Sequence, residues 1–238
     1  MATKLTWLGH ASWLIETEKH TILLDPFLND NPKASAKPAD LKPDVILVSH
    51  GHFDHVADVA EIANANDCTV VANYEIATWF SEKHNVKNTI GMNIGGGMEM
   101  DFGRVKMTHA IHSSQLPDGA YGGNPGGFLI SPGNKKELGE NQARKRIYFA
   151  CDTALFSDME LIGKVGVDVA VVPIGDLFTM GPEDSVQAIK LIGPRLVLPT
   201  HYDTWPPIEQ NAAEWSDMVK SKTDAQPVVL KPGDTYEI

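Results

Sequence analysis

The apolar run Val45-Ile-Leu-Val-Ser-His50 ends on His50-Gly-His-Phe-Asp-His55, which packs three imidazoles and one carboxylate into six residues. Such a cluster at a strand end constrains the fold sharply. Burying these groups without partners is costly, whereas a divalent metal satisfies imidazole and carboxylate together. Gly51 relieves the backbone between them. A strand end followed by a turn lets His50 and His52 face one point while Asp54 and His55 face another, which implies two ions. The competing reading is a polar loop opening a helix with Asp54 as its N-cap, and that accounts for one residue while leaving three histidines unexplained.

Two further apolar runs end in the same manner, Ile147-Tyr-Phe-Ala-Cys-Asp152 and Leu196-Val-Leu-Pro-Thr-His201, and His112 follows a third strand-like segment. Rigid strands that deliver functional groups at their C-terminal ends to one crevice are a common way for α/β chains to build a site. Period and turn signals predict strands at 5–8, 12–17, 21–25, 45–49, 69–72, 105–111, 127–130, 146–151, 167–172 and 196–200. They predict helices at 56–65 and 182–192, the second with Pro182 in its first turn. Residues 131–145 are polar and turn-forming, and read as a long exposed hairpin loop.

Composition narrows the class. The 238 residues suit one or two domains, and with no break in composition the chain reads as one domain over 1–238. With 42% hydrophobic and 21% charged residues it is an ordinary globular sequence, which excludes disorder, collagen and coiled coil. A net charge of −11 argues against nucleic acid as a partner, because phosphate backbones need a basic surface. Cys68 and Cys151 lie in apolar strand-like runs and read as buried free thiols of a reducing compartment. No segment has the apolar core of an export signal or the length of a membrane helix, so a cytoplasmic protein without a membrane partner is expected.

His50-Gly-His-Phe-Asp-His55 followed by His112, Asp152 and His201 resembles the pattern of the metallo-β-lactamase superfamily. The segments Trp7-Leu-Gly-His-Ala-Ser12, Met92-Asn-Ile-Gly-Gly96, Thr179-Met-Gly-Pro-Glu-Asp184 and Leu198-Pro-Thr-His-Tyr202 resemble its metal-dependent hydrolase branch related to ascorbate-6-phosphate lactonase. The resemblance implies an α/β fold, an αββα four-layer sandwich of two mixed β-sheets with the metal site at one edge. It also implies that His50, His52 and His112 hold one ion, that Asp54, His55 and His201 hold the other, and that Asp152 bridges them. Cys151, next to Asp152 on a strand, should face away. By the same resemblance His10 lies near the metals as a hydrogen-bond donor or proton carrier. Asp25 either orients a ligand imidazole or forms a turn, and Tyr202 either faces a developing oxyanion or packs in the core. His20, His84 and His109 read as structural or exposed.

The expected activity is hydrolysis by a metal-bound hydroxide, with Asp54 both ligand and positioner of the nucleophile. Neither Gly-x-Ser-x-Gly nor a phosphate-cradling loop occurs, since Gly95-Gly-Gly97 is not followed by Lys-Ser/Thr. The resemblance favours a small-molecule lactone or phosphoester substrate. It disfavours the large nuclease branch, for whose added domain the segment between Asp152 and His201 leaves no space. The alternatives are a di-iron redox protein, in whose group the second His of the cluster is a Glu and a flavodoxin-like segment follows, and a non-catalytic metal-binding protein. The ligand set suits zinc first, and also manganese, iron or nickel. A homo-oligomer is compatible with the sequence. Specificity should reside in the loops 112–126 and 131–145, and Lys42, Arg104 and Arg144 read as solvated turn residues that could otherwise meet a phosphate.

Overall fold

A computed structural model describes residues 2–133 and 144–238, so the core of the expected hairpin loop 131–145 lies outside the described residues. The first sheet is built from β1 (Lys4–Gly9), β2 (Ser12–Glu16), β3 (Thr21–Leu24), β4 (Val45–Leu47), β5 (Thr69–Asn73) and β6 (Thr89–Met92). The second contains β7 (Gly97–Met100), β8 (Gly103–His109), β9 (Gly126–Pro132), β10 (Ile147–Phe149), β11 (Val169–Pro173), β12 (Leu196–Thr200) and β13 (Gln226–Pro227). The last strand, β14 (Thr235–Glu237), returns to β1 and gives the first sheet seven strands in the order β14-β1-β2-β3-β4-β5-β6, while the second runs β13 to β7. Each is mixed. β1 to β3 are antiparallel and β3 to β6 parallel. Likewise β7 to β10 are antiparallel and β10 to β13 parallel.

Sequence accounts for this division. The parallel strands β4 and β11 are apolar and buried along their whole length, as sheets covered on both faces require. Antiparallel β8 alternates instead, burying Val105 and Met107 while Arg104 and Lys106 face out.

Helices α1 (Phe53–Val56), α2 (Val59–Asn66) and α3 (Tyr74–His84) follow strands of the first sheet. α4 (Met159–Gly163), α5 (Pro182–Ile192) and α6 (Ala212–Lys222) flank the second. Two apolar clusters result. One fills the space between the sheets, around Trp13, Phe128 and Phe149, and continues under α5 and α6 through Val186, Ile189 and Trp215. The other joins Leu23, Ile46 and Val70 to Ile62 and Phe80 of the outer helices. The architecture is therefore the expected α/β four-layer sandwich. No helix among the described residues is long and apolar enough to cross a membrane.

The expected helix 182–192 and strand 196–200 coincide with α5 and β12. The helix expected at 56–65 is instead split. Residues 53–56 form the separate turn α1, and α2 begins at Val59 because Asp58 turns its carboxylate onto the amides of Leu28 and Asn29 at 2.5 and 3.2 Å. Strands 45–49 and 146–151 stop early, at Leu47 and Phe149, where the chain leaves the sheet to form the site. α3 and α6 carry weak apolar faces, with Ile76, Ala77 and Phe80 buried on one and Trp215, Ser216 and Val219 on the other. Both start at an Asn cap: the Asn73 side chain accepts from Ile76 N–H, and that of Asn211 from Ala213 and Glu214 N–H.

Candidate metal centre

Strand ends on one edge of the sandwich deliver the polar groups, and a left-handed residue at several of them turns the chain sharply. His10 after β1, Asp25 after β3, Cys151 after β10 and His201 after β12 have φ of 54, 44, 54 and 55°. Such backbone conformations are costly for residues with a Cβ, and concentrate where surrounding structure enforces them. Cys151 therefore corrects the expectation of strand alternation. It is off the strand, buried, with its Sγ 3.7 Å from the Phe149 carbonyl, and belongs to none of the ligand groups.

The His10 carbonyl ties the edges of the two sheets together. It accepts hydrogen bonds from Trp7 Nε1 at 2.9 Å, Thr200 Oγ1 at 2.8 Å and His201 N at 3.0 Å. Trp13 Nε1 donates to Thr200 Oγ1 at 3.0 Å, which fixes β12 against β2.

All seven expected ligands meet at this edge. His50, His52 and His112 form one group and Asp54, His55 and His201, with His10, another, each with its ligand atoms within 4.8 Å of one another. His50 Nε2 and His112 Nε2 lie 3.0 and 3.2 Å from His52 Nδ1. Between the groups sits Asp152, whose Oδ2 is 3.0 Å from His201 Nε2, 3.3 Å from His55 Nε2, 3.7 Å from His112 Nε2 and 3.9 Å from His50 Nε2.

The outer nitrogens are anchored. Asp25 is fully buried, its Oδ1 accepting from Ser49 N at 2.7 Å and its Oδ2 from Ser49 Oγ at 2.5 Å and His55 Nδ1 at 2.9 Å. Ser49 Oγ in turn lies 3.0 Å from His50 Nδ1, so one carboxylate directs the Nε2 atoms of both His50 and His55 inward. Of the two readings left open for Asp25, the geometry matches orientation of an imidazole. Ser113 Oγ, 3.1 Å from His52 Nε2, leaves His52 Nδ1 as the inward atom. His10 is buried between Asp54 Oδ2, 2.9 Å from its Nε2, and Thr204 Oγ1, 2.7 Å from its Nδ1. Asp54 lies inside the first turn of α1 and caps nothing, which removes the capping alternative.

These residues fit divalent cations. His55 Nε2, His201 Nε2 and Asp152 Oδ1 are buried without a hydrogen-bond partner although they converge, an arrangement that costs free energy unless a cation fills the space between them. Burial opposes charge on Asp152, but His201 and His55 hold it well below the usual carboxylate range, and His55 and His10 do the same for Asp54. Burial and then the neighbouring His201 lower His10 to about 4, so it is neutral at physiological pH.

Burial also opposes the imidazolium forms of His55 and His201, yet the carboxylates override it. Asp152, Asp25 and Asp54 raise His55 well above its usual range, and Asp152 with Asp54 lifts His201 to about 9. A divalent ion must displace those protons. Metal affinity is therefore expected to rise with pH through neutrality and on past about 9, the value for His201, because His55 must lose its proton too, and uptake at neutral pH is expected to acidify a weakly buffered solution. Uptake with no proton release, followed by calorimetry in buffers of different ionisation enthalpy, would contradict this.

Gly175, in the loop after β11, packs against the His201 carbonyl so closely that a Cβ would overlap it. Gly175→Ala is expected to shift His201 and weaken metal binding about tenfold, as overpacking costs about 1–3 kcal/mol. Unchanged affinity in a metal titration would overturn that expectation.

A cleft of about 700 Å³ opens beside the two groups, lined by His52, Asp54, His112, Asp152 and His201 together with loop side chains. The expected specificity loop 112–126 contributes Ser113, Gln115, Leu116 and Pro117. Phe53, Leu177, Phe178 and Trp205 also line it and had not been singled out from the sequence. Their signal, apolar residues in the segments that follow strands β4, β11 and β12, is indistinguishable in sequence from ordinary core. Tyr202 packs in the core, stacked on Trp7 at 5.1 Å. His84 lies tilted against Trp79 and His109 edge-on to Phe156, while His20 lies near Asp44. Arg104 and Arg144 pair with Glu99, and Lys42 is exposed away from the cleft.

Residues 4–201 match the profile of the beta-lactamase superfamily domain. A UPF0173 metal-dependent hydrolase of Pelotomaculum thermopropionicum is 44% identical over 99% of this chain and 100% of its own length. One from Thermus thermophilus is 42% identical over 99% of both chains. Among solved structures, Igni18, a metallo hydrolase of Ignicoccus hospitalis, superposes with a TM-score of 0.87 at 31% identity, covering 100% of this chain and 99% of its own. The four-layer sandwich, the convergent buried His/Asp groups at its edge and these full-length relatives establish the chain as a metal-dependent hydrolase of the metallo-β-lactamase superfamily.

Proposed function

We propose that the chain hydrolyses the carboxylic ester bond of a small molecule, a lactone first, at a centre of two divalent ions, zinc first. His50, His52 and His112 would hold one ion, Asp54, His55 and His201 the other, and Asp152 would serve both. The observation that carries this reading is the position of Asp152 Oδ2, within 3.9 Å of an imidazole nitrogen from each group. When bound, the ions would polarise the scissile carbonyl and bring the pKa of a coordinated water towards ~7.

The protein's own groups do the rest. Asp54 lines the cleft and stays ionised, so it can orient the attacking water and accept its hydrogen bond. His10 is not among the cleft residues. Held neutral, it donates through Nε2 to Asp54 and accepts at Nδ1 from the Thr204 hydroxyl, which makes it a positioning residue for Asp54 and not a proton carrier to solvent.

Carboxylic esters rank ahead of phosphoesters because, among the described residues, no Lys or Arg lines the cleft to meet a phosphate. The relatives at 31 to 44% identity are named hydrolases, which favours this chemistry over an iron redox role. The test is a panel of lactones, carboxylic esters and phosphodiesters offered to zinc-loaded and manganese-loaded protein. Turnover of lactones or esters is expected. Turnover of phosphodiesters alone would overturn the substrate class.

A further inference from the structure

The cleft beside the metal ligands is walled by apolar side chains that the fold does not need. Phe53 is 55% exposed, Leu177 65% and Phe178 53%, and none of the three belongs to either core cluster. Large apolar groups gathered at one opening are unusual on a soluble surface and mark a binding site when they rim a cleft.

The wall is also pre-organised. Buried Phe27 packs edge-on against Phe53 at 5.7 Å and lies tilted against Trp205 at 5.8 Å, and Phe53 and Trp205 lie 6.0 Å apart. Leu177 and Phe178 project from a tight turn after β11, in which the Asp176 carbonyl accepts from both Phe178 N and Thr179 N. Asp176 and Leu177 have φ of 62 and 29°, a strained conformation that its surroundings enforce. The turn closes with Asp176 N donating to the carbonyl of buried Met180, and it displays Leu177 and Phe178 at the cleft.

We propose that Phe53, Leu177, Phe178 and Trp205 form an acceptor for a hydrocarbon or aryl group, which makes the substrate an uncharged, hydrophobic carboxylic ester or lactone. The inference rests on the ester-hydrolase reading above for the bond, but not for the acceptor itself. Away from the candidate metal ligands the described lining residues include no Lys or Arg, so the wall offers no partner to a charged substituent and an apolar one fits it. The acceptor adjoins Asp54 and His52 directly, so a bound hydrocarbon would place an attached carbonyl beside the catalytic groups.

The first test uses metal-free protein and the uncharged fluorescent probe N-phenyl-1-naphthylamine. Saturable binding that an uncharged long-chain lactone competes away is expected. Phe178→Ala should weaken it about tenfold, and Leu177→Ala/Phe178→Ala further, as each side chain contributes burial of this order. With metal-loaded protein, the double variant should raise KM for a long-chain lactone about tenfold relative to KM for a short one. Equal probe binding by wild type and double variant overturns the proposal. So does a wild-type dimer in sedimentation that the double variant dissolves, since the apolar residues would then serve a second copy. Probe binding that needs both residues, with no lactone or ester hydrolysed, supports the acceptor and overturns the ester reading instead.

Discussion

Asp152→Ala is expected to strip bound metal from the protein and lower kcat/KM by at least about a thousandfold, equivalent to about 4 kcal/mol of lost transition-state stabilisation. Among the described residues Asp152 is the one carboxylate that approaches His50, His55, His112 and His201 together, so both proposed ion sites lose a shared ligand at once. Its removal also leaves buried imidazoles that it had stabilised in their charged form, at about 3–5 kcal/mol of folding stability in the metal-free chain. Asp152→Asn separates the two effects. The amide keeps the volume and some hydrogen bonding but not the charge, so it should lose metal while melting closer to wild type. Metal content and turnover near wild type in Asp152→Ala would show that the residue does not join two sites.

Asp25→Ala should produce the largest loss of stability at a position with no place in the cleft. The carboxylate is fully buried and satisfies three donors, the backbone and hydroxyl of Ser49 and the His55 imidazole. Truncation orphans all three, and about 3–5 kcal/mol of stability should be lost, a fall of about 10 °C in Tm for a chain of this size. Metal affinity should fall about 10- to 100-fold as well, because His50 and His55 lose the contact that fixes their orientation. Asp25→Asn retains an acceptor for one donor and should recover part of both losses. A Tm and a metal affinity unchanged by Asp25→Ala would mean that the Ser49 and His55 hydrogen bonds are dispensable.

The gathering of the candidate ligand side chains at one edge was legible because their chemistry has few other uses. Four metal-binding side chains at the end of the Val45–Leu47 strand have few other uses, and Asp152 and His201 end apolar runs of the same kind. The four-layer architecture followed from the resemblance. Asp25 could not be assigned from sequence, since Asp before Pro is an ordinary turn former, and only its contact with His55 across 30 residues separates the readings. Phe53, Leu177, Phe178 and Trp205 escaped for a related reason. Sequence marks them as apolar, but whether an apolar loop residue enters the core or rims a cleft depends on tertiary placement. The start of α2 was misplaced because Asp58 bonds to a loop 30 residues upstream, a long-range contact that local periodicity does not carry. The edge strands β6, β7, β13 and β14 are short and half exposed, so they lack the alternation and apolar length that reveal β4 or β11.

Metal stoichiometry tests the account most directly. Purified protein, stripped of metal, reconstituted with zinc or manganese and freed of excess, should retain about two ions per chain by inductively coupled plasma mass spectrometry. A chain that retains no ion after reconstitution, while folded, would contradict the assignment of His50, His52, Asp54, His55, His112, Asp152 and His201 to a metal centre.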